Sequence, residues 1–133
     1  MPPSPTDVAT LTRLDRYLDA APRTGATTED IGAFTLFVST GMWPYYARPR
    51  VGYEHAITAR DVEAVRERQR SLGVPEVFEW VVETTPTMSA AARETGLSVE
   101  ELPLLVLGTA GTLEGPSGAG VRRVGADEFD LAR

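Results

Sequence analysis

At 133 residues the chain is long enough for one domain with a real core, and a composition of 42% hydrophobic and 24% charged residues excludes a wholly disordered chain. A formal net charge of −6 argues against a sequence-independent grip on nucleic acid or an anionic membrane, because that binding rests on excess Lys and Arg displacing counterions. The absence of Cys removes disulfides, thiolate nucleophiles and Cys-ligated zinc, and it leaves His55 as the only imidazole for general-base chemistry.

Ser4-Pro5-Thr6-Asp7 supplies a capping oxygen, a proline at the first helical position and a carboxylate three residues after the cap, so a helix is expected to start there. Val8, Leu11, Leu14 and Leu18 give it one apolar stripe, and Pro22 and Gly25 stop it. The stretch 23–30 is polar and reads as a connection. Phe34 to Ser39 is rich in β formers and puts Phe34, Leu36 and Val38 on one face. A turn through Gly41-Met42-Trp43-Pro44 then leads to a partner strand over Tyr45 to Arg50, a hairpin with a longer loop.

Thr58-Ala59-Arg60-Asp61 repeats the capping pattern, with Val62, Val65 and Leu72 as the buried stripe before Gly73 and Pro75 end the helix. Its outer face carries Arg60, Glu63, Arg66, Glu67, Arg68 and Arg70. The pairs Glu63 with Arg66 and Glu67 with Arg70 stand at helical spacing, worth about 0.2 to 0.5 kcal/mol each, so this reads as a solvated face. Val77 to Glu83 reads as a strand with Phe78, Trp80 and Val82 on one face and Glu79, Val81 and Glu83 on the other. Thr85-Pro86 opens a helix through Ala90, Ala91 and Ala92 to Gly96, and Leu102 to Leu107 is an apolar run like an interior strand, with Pro103 near its start.

From Gly108 to Gly120 the composition is that of a linker, and Val121 to Arg133 reads as a short strand and a helix start too brief to stand alone. The expected organisation is therefore an N-terminal helix and connection over 1–32, an α/β core over 33–107, a flexible linker over 108–120, and the start of a further domain or a tail over 121–133. The fold class is α+β, with a mixed or mostly antiparallel sheet flanked by helices. No apolar run approaches the roughly 20 residues that span a bilayer, and the Pro-rich start lacks a basic region followed by an apolar one, so a cytoplasmic location is expected.

Chemistry-bearing constellations are sparse. His55 sits in a Gly-Tyr-Glu-His loop, the setting of a solvated surface residue rather than of a general base. Glu79 and Glu83 stand four residues apart on an expected strand, about 13 Å, too far for a glycosidase carboxylate pair. Gly115-Pro116-Ser117-Gly118 lacks the strand and helix of a nucleotide loop. All 13 basic residues are Arg, as a GC-rich bacterial genome produces, so an Arg here does not by itself signal bidentate recognition. Trp43, Tyr45, Tyr46 and Trp80 could line a pocket or fill a core.

The blocks Phe34-Thr35-Leu36-Phe37-Val38, Trp43-Pro44-Tyr45-Tyr46-Ala47-Arg48-Pro49, Asp61-Val62-Glu63-Ala64-Val65 with Gln69, Leu72-Gly73-Val74-Pro75-Glu76, Phe78-Glu79-Trp80-Val81 and Pro103-Leu104 together resemble the N-terminal region of bacterial two-part GNAT-family N-acetyltransferases. The resemblance covers roughly residues 33–107. It implies a GNAT-like fold, partial or degenerate, followed in the parent protein by a C-terminal GNAT domain that holds acetyl-CoA. GNAT domains seat the coenzyme's diphosphate on backbone N–H groups in a Q/R-x-x-G-x-G/A loop at a helix start. Here the matching junction reads Arg48-Pro49-Arg50-Val51-Gly52-Tyr53-Glu54, with Arg48 and Gly52 one residue too far apart and Glu54 set to repel a phosphate. The expectation is a non-catalytic unit with no cofactor, metal or catalytic residue of its own. It would shape the substrate side of an active site through Tyr45, Tyr46, Arg48, Glu79, Trp80 and Glu83, with acetyl-CoA and the C-terminal domain as the parent protein's cofactor and partner. The alternative is a stand-alone binding or assembly module that forms a homodimer through a sheet edge.

Overall fold

The computed structural model describes residues 4–106. The chain divides into two compact units, Met1–Glu101 and Leu102–Arg133. The first is an α+β unit with a three-stranded antiparallel sheet and three α-helices. Helix α1 spans Pro5–Ala20, β1 Ala26–Ile31, β2 Phe34–Ser39, β3 Ala47–Pro49, α2 Ala59–Leu72 and α3 Met88–Glu94. Among the described residues no helix is long and apolar enough to cross a membrane.

Both capping boxes form as their sequences require. The Ser4 hydroxyl accepts from the Asp7 amide at 3.2 Å while Asp7 accepts from the Ser4 amide at 3.0 Å, and Thr58 with Asp61 repeats the exchange at the start of α2. Helix α1 runs into a 3₁₀ turn at Ala21–Thr24, and α2 ends on Gly73, whose φ of +66° is open to glycine at little cost.

The stretch expected to be a polar connection carries β1 instead. It pairs with β2 over its whole length, from Ala26 opposite Ser39 to Ile31 opposite Phe34, across the two-residue turn Gly32-Ala33. Gly32 has φ +55°, the position at which a tight hairpin turn takes glycine. Thr27, Thr28, Glu29 and Asp30 hide the strand from a reading of apolar periodicity, because an edge strand needs no apolar face and charges on it discourage stray pairing.

Strand β2 is the centre of the sheet. Phe34, Thr35, Leu36 and Phe37 are all buried, so both of its faces are covered rather than the one expected. Phe34 and Leu36 join Ala47, Ile57, Val62, Val65, Met88, Ala91 and Ala92 in a core beneath α2 and α3. On the other face Phe37 packs edge-on to Tyr46 at 5.9 Å and lies under the Arg23 guanidinium at 5.6 Å. Thr35 donates there to Asp30 at 2.9 Å, and Arg48, only 2% exposed, reaches the carboxylate of Asp15 and its main-chain oxygen on α1.

Four further expectations change. The buried stripe of α2 is Val62, Val65 and Gln69, with Leu72 exposed, because the Gln69 amide donates to Val77 O at 3.1 Å and ties the helix to the chain beyond it. The stretch 77–83 makes one parallel bridge, Phe78 with Ala47, and then turns at 82–84, so Val81 rather than Val82 is buried. The partner strand expected over Tyr45 to Arg50 is ladder-paired only at Ala47–Pro49. Helix α3 begins at Met88 with no side-chain cap, later than Thr85-Pro86 implies, and buries Met88, Ser89, Ala91 and Ala92 but not Ala90.

The outer face of α2 is a network rather than independent pairs. Arg66 bonds Glu76 at 2.9 Å and the main-chain oxygen of Thr95 at 2.6 Å, Arg70 bonds Glu63 at 2.6 Å and Glu76 at 2.7 Å, and Arg68 bonds Glu29 on β1 at 2.9 Å. Arg70 thus turns to Glu63 and Glu76 rather than to Glu67.

In the second unit, residues 102–106 form no strand. Leu102, Leu104, Leu105 and Val106 are exposed, so the apolar run is not the interior strand its composition suggests. The expected linker at 108–120 and the expected strand and helix start at 121–133 lie outside the described residues.

Removing one partner of a buried ion pair strands the other, at a cost of about 3 to 5 kcal/mol, whereas replacing both by apolar groups is close to neutral. Asp15→Ala is expected to lower unfolding stability by that amount in urea titrations, and the double variant Asp15→Ala with Arg48→Met to recover most of the loss.

Candidate functional site

Two places in the first unit have the makings of a site: the junction between β3 and α2, and the sheet face that carries Tyr46 and Arg48. At the junction, Arg50 N–H donates to Ala33 O at 2.9 Å and Tyr53 N–H to Arg50 O at 3.1 Å, which folds residues 50–53 into a turn with Gly52 at φ +77°. The chain then enters α2 with three of its amides engaged. Ile57 N–H donates to the Thr87 hydroxyl at 2.9 Å, Thr58 N–H to the Asp61 carboxylate at 2.8 Å, and Asp61 N–H to the Thr58 hydroxyl at 3.3 Å. A helix start binds anions through free N–H groups and a positive dipole end. Here an internal carboxylate occupies that position, so a diphosphate would meet a filled and negatively charged cap.

His55 lies exposed in the same loop, its ring edge-on to Tyr53 at 5.5 Å, and it makes no hydrogen bond among the described residues. Among those residues no group of three or more His, Asp or Glu side chains could hold a metal ion.

On the sheet face opposite α2, strand alternation places Tyr46, Arg48 and Glu79 side by side, since Ala47 and its bridge partner Phe78 point into the core. Tyr45 and Tyr46 are half-buried, with ring centroids 6.4 Å apart at 68°. The Tyr45 hydroxyl lies against Gly25, where a Cβ would come within 2.6 Å of it and the end of the ring would have to shift. Burial raises the Tyr46 phenol above its ordinary range, the Glu79 carboxylate adds to the rise, and Arg48 opposes it. Glu79 itself is exposed at the lip. The result is a ledge with two phenol rings and a free carboxylate above a buried guanidinium.

The structure therefore brings together Tyr45, Tyr46, Arg48 and Glu79. Trp80 points the other way, packed against the main core with Phe78, and exposed Glu83 lies beyond it in the turn at 82–84. Trp43 is 72% exposed at the tip of the β2–β3 loop, apart from any core. Trp80 shares a cleft of about 180 Å³ with Val77, Phe78, Ala92, Leu97 and Val99, a grouping that sequence reading did not reach. The one available signal was the alternation of Leu97 and Val99 with Ser98 and Glu100.

No protein-family model matches the sequence, and neither a curated protein nor a solved structure matches it.

Folding raises the Tyr46 pKa, so above about pH 10 the unfolded chain releases this proton first and stability falls as pH rises toward the folded-state value. Spectrophotometric titration should show a tyrosine ionising above the ordinary phenol range, and Tyr46→Phe should remove both that step and part of the alkaline loss of stability.

Proposed function

We propose that the chain is the non-catalytic N-terminal part of a two-part GNAT-like N-acetyltransferase, and that its ledge forms part of the wall against which the parent enzyme holds its amine substrate. The observation that carries this reading is the strand–helix–strand unit β3, α2 and residues 77–79, in which α2 opens on its own Thr58–Asp61 cap. That unit has the connectivity in which a coenzyme cradle is expected from the resemblance, and the cap fills the place where its diphosphate would sit. A chain of this kind contributes shape and charge while acyl transfer takes place on the partner domain.

The ledge suits that task. A free carboxylate at Glu79 attracts a cationic amine, and the Tyr45 and Tyr46 rings offer flat, rigid contact area. Arg48, buried and paired with Asp15, fixes the position of β3 rather than meeting substrate. In this arrangement the amine attacks the thioester carbonyl, and the base and oxyanion donors belong to the C-terminal domain.

Calorimetric titration of acetyl-CoA into this chain alone should give no micromolar binding, and such binding would overturn the assignment. In the full-length enzyme Glu79→Gln and Tyr46→Phe are expected to raise the amine KM by about three- to tenfold with kcat little changed, the pattern of lost uniform binding. Wild-type kinetics in both variants would remove the ledge from the substrate site.

A further inference from the structure

Parallel pairing determines which backbone groups of a strand face its neighbour. Where Phe78 bridges Ala47, the flanking groups make the bonds: Ala47 N–H donates to Val77 O at 3.0 Å, and Glu79 N–H donates to Ala47 O at 3.0 Å. The N–H and C=O of Phe78 itself then point away from β3. Neither they nor the N–H and C=O of Trp80 have a backbone partner among the described residues. The sheet is thus blunted by charged side chains at β1 and open at Phe78–Trp80.

The open edge borders the cleft of about 180 Å³. Val77, Phe78 and Trp80 line it together with Leu97 and Val99 and with Ala92 from α3, and Glu76 and Ser98 add polar groups. The indole Nε1 of Trp80 is buried and has no acceptor among the described residues. A buried donor without an acceptor is costly, so a small turn of the ring that brings it to an incoming carbonyl oxygen would be favoured.

The charges nearby are one-sided. Arg66 and Arg70 are taken up by Glu63 and Glu76, whereas Glu79, Glu83 and Glu100 are exposed and form no ion pair among the described residues. Segments flanking an occupant of this edge would lie among free carboxylates.

We propose that the Phe78–Trp80 edge is a docking site for an extended, basic-flanked segment of a partner polypeptide. The segment pairs with the backbone of Phe78 and Trp80, places one apolar side chain between Trp80 and Leu97, and offers a main-chain carbonyl to the Trp80 indole. Sheet continuation supplies the affinity, and the cleft and the carboxylates supply the selectivity. This site shares Glu79 with the Tyr46 ledge but does not depend on the ledge's role.

The test uses the full chain with Trp43→Phe, which leaves Trp80 as the only indole, and the peptide acetyl-Arg-Val-Thr-Val-Thr-Val-Arg-amide as probe. Saturable change in Trp80 emission is expected, together with slowing of Phe78 and Trp80 amide exchange by about tenfold or more. A peptide with Glu in place of both Arg should bind about tenfold more weakly, and Trp80→Phe should weaken the Arg peptide several-fold, read by exchange alone. Three results overturn the proposal. One is no saturable change up to about 1 mM peptide, the range of affinities too weak for specific docking. Another is equal binding by a peptide N-methylated throughout its Val-Thr core, which would mean that the cleft takes an apolar group without backbone pairing. The last is protection of the Phe78 and Trp80 amides before any peptide is added, with light scattering then assigning the occupant to the chain itself if monomeric or to a second copy if dimeric.

Discussion

Phe34, Thr35, Leu36 and Phe37 lose both faces of β2 to the interior, and this places a demand on everything around them. A strand covered on one side needs one helical layer, whereas β2 needs two. Helices α2 and α3 supply the first over Phe34 and Leu36, through a core of small and branched residues. The second is more polar: Phe37 is covered by Tyr46 and Arg23, and α1 is drawn to the sheet by the pairing of Arg48 with Asp15. A buried ion pair is weak evidence for stability as such, and its value here is positional, since two of the guanidinium nitrogens hold Asp15 on α1.

The second consequence concerns residues 77–80, which make only one bridge to the sheet and owe much of their position to side chains. Gln69 holds Val77 O from α2, Arg66 and Arg70 converge on Glu76, and Arg66 also binds Thr95 O at the end of α3. Exposed ion pairs contribute little one by one, but these share partners and join three segments, which restricts the rotamers of each. Trp80 is thereby held at the cleft with its backbone edge outward.

The two ends of this segment lead to different functional readings. Toward α1 the sheet presents Tyr45, Tyr46 and Glu79, a polar ledge whose phenol at Tyr46 stays protonated beyond the ordinary range. Toward α3 it presents an open backbone edge and a cleft of mixed polar and apolar lining. Between them, the start of α2 is closed by Asp61, whose carboxylate takes the amide and hydroxyl of Thr58. A capping box satisfies the helix and neutralises its dipole end in the same act, so a helix start built this way is poorly suited to an anionic ligand.

Local chemistry determined what the sequence could show by itself. The cap residues Ser4 with Asp7 and Thr58 with Asp61, the stops at Pro22 and Gly73, and the β-rich run at Phe34 all act within a few residues of themselves, and the α+β class follows from them. Tertiary structure decided what depends on a distant partner. Strand β1 exists because β2 lies beside it; Gln69 rather than Leu72 is buried because Val77 O comes within its reach; and Arg48 is interior because Asp15 lies 33 positions away. Ladder pairing, buried polar satisfaction and ion pairing are contacts between segments, and periodicity along one segment carries no record of them. The gathering of Tyr46, Arg48 and Glu79, and the separation of Trp80 from them, was settled in the same way, by the side of the sheet to which each residue's place beside Ala47 and Phe78 assigned it.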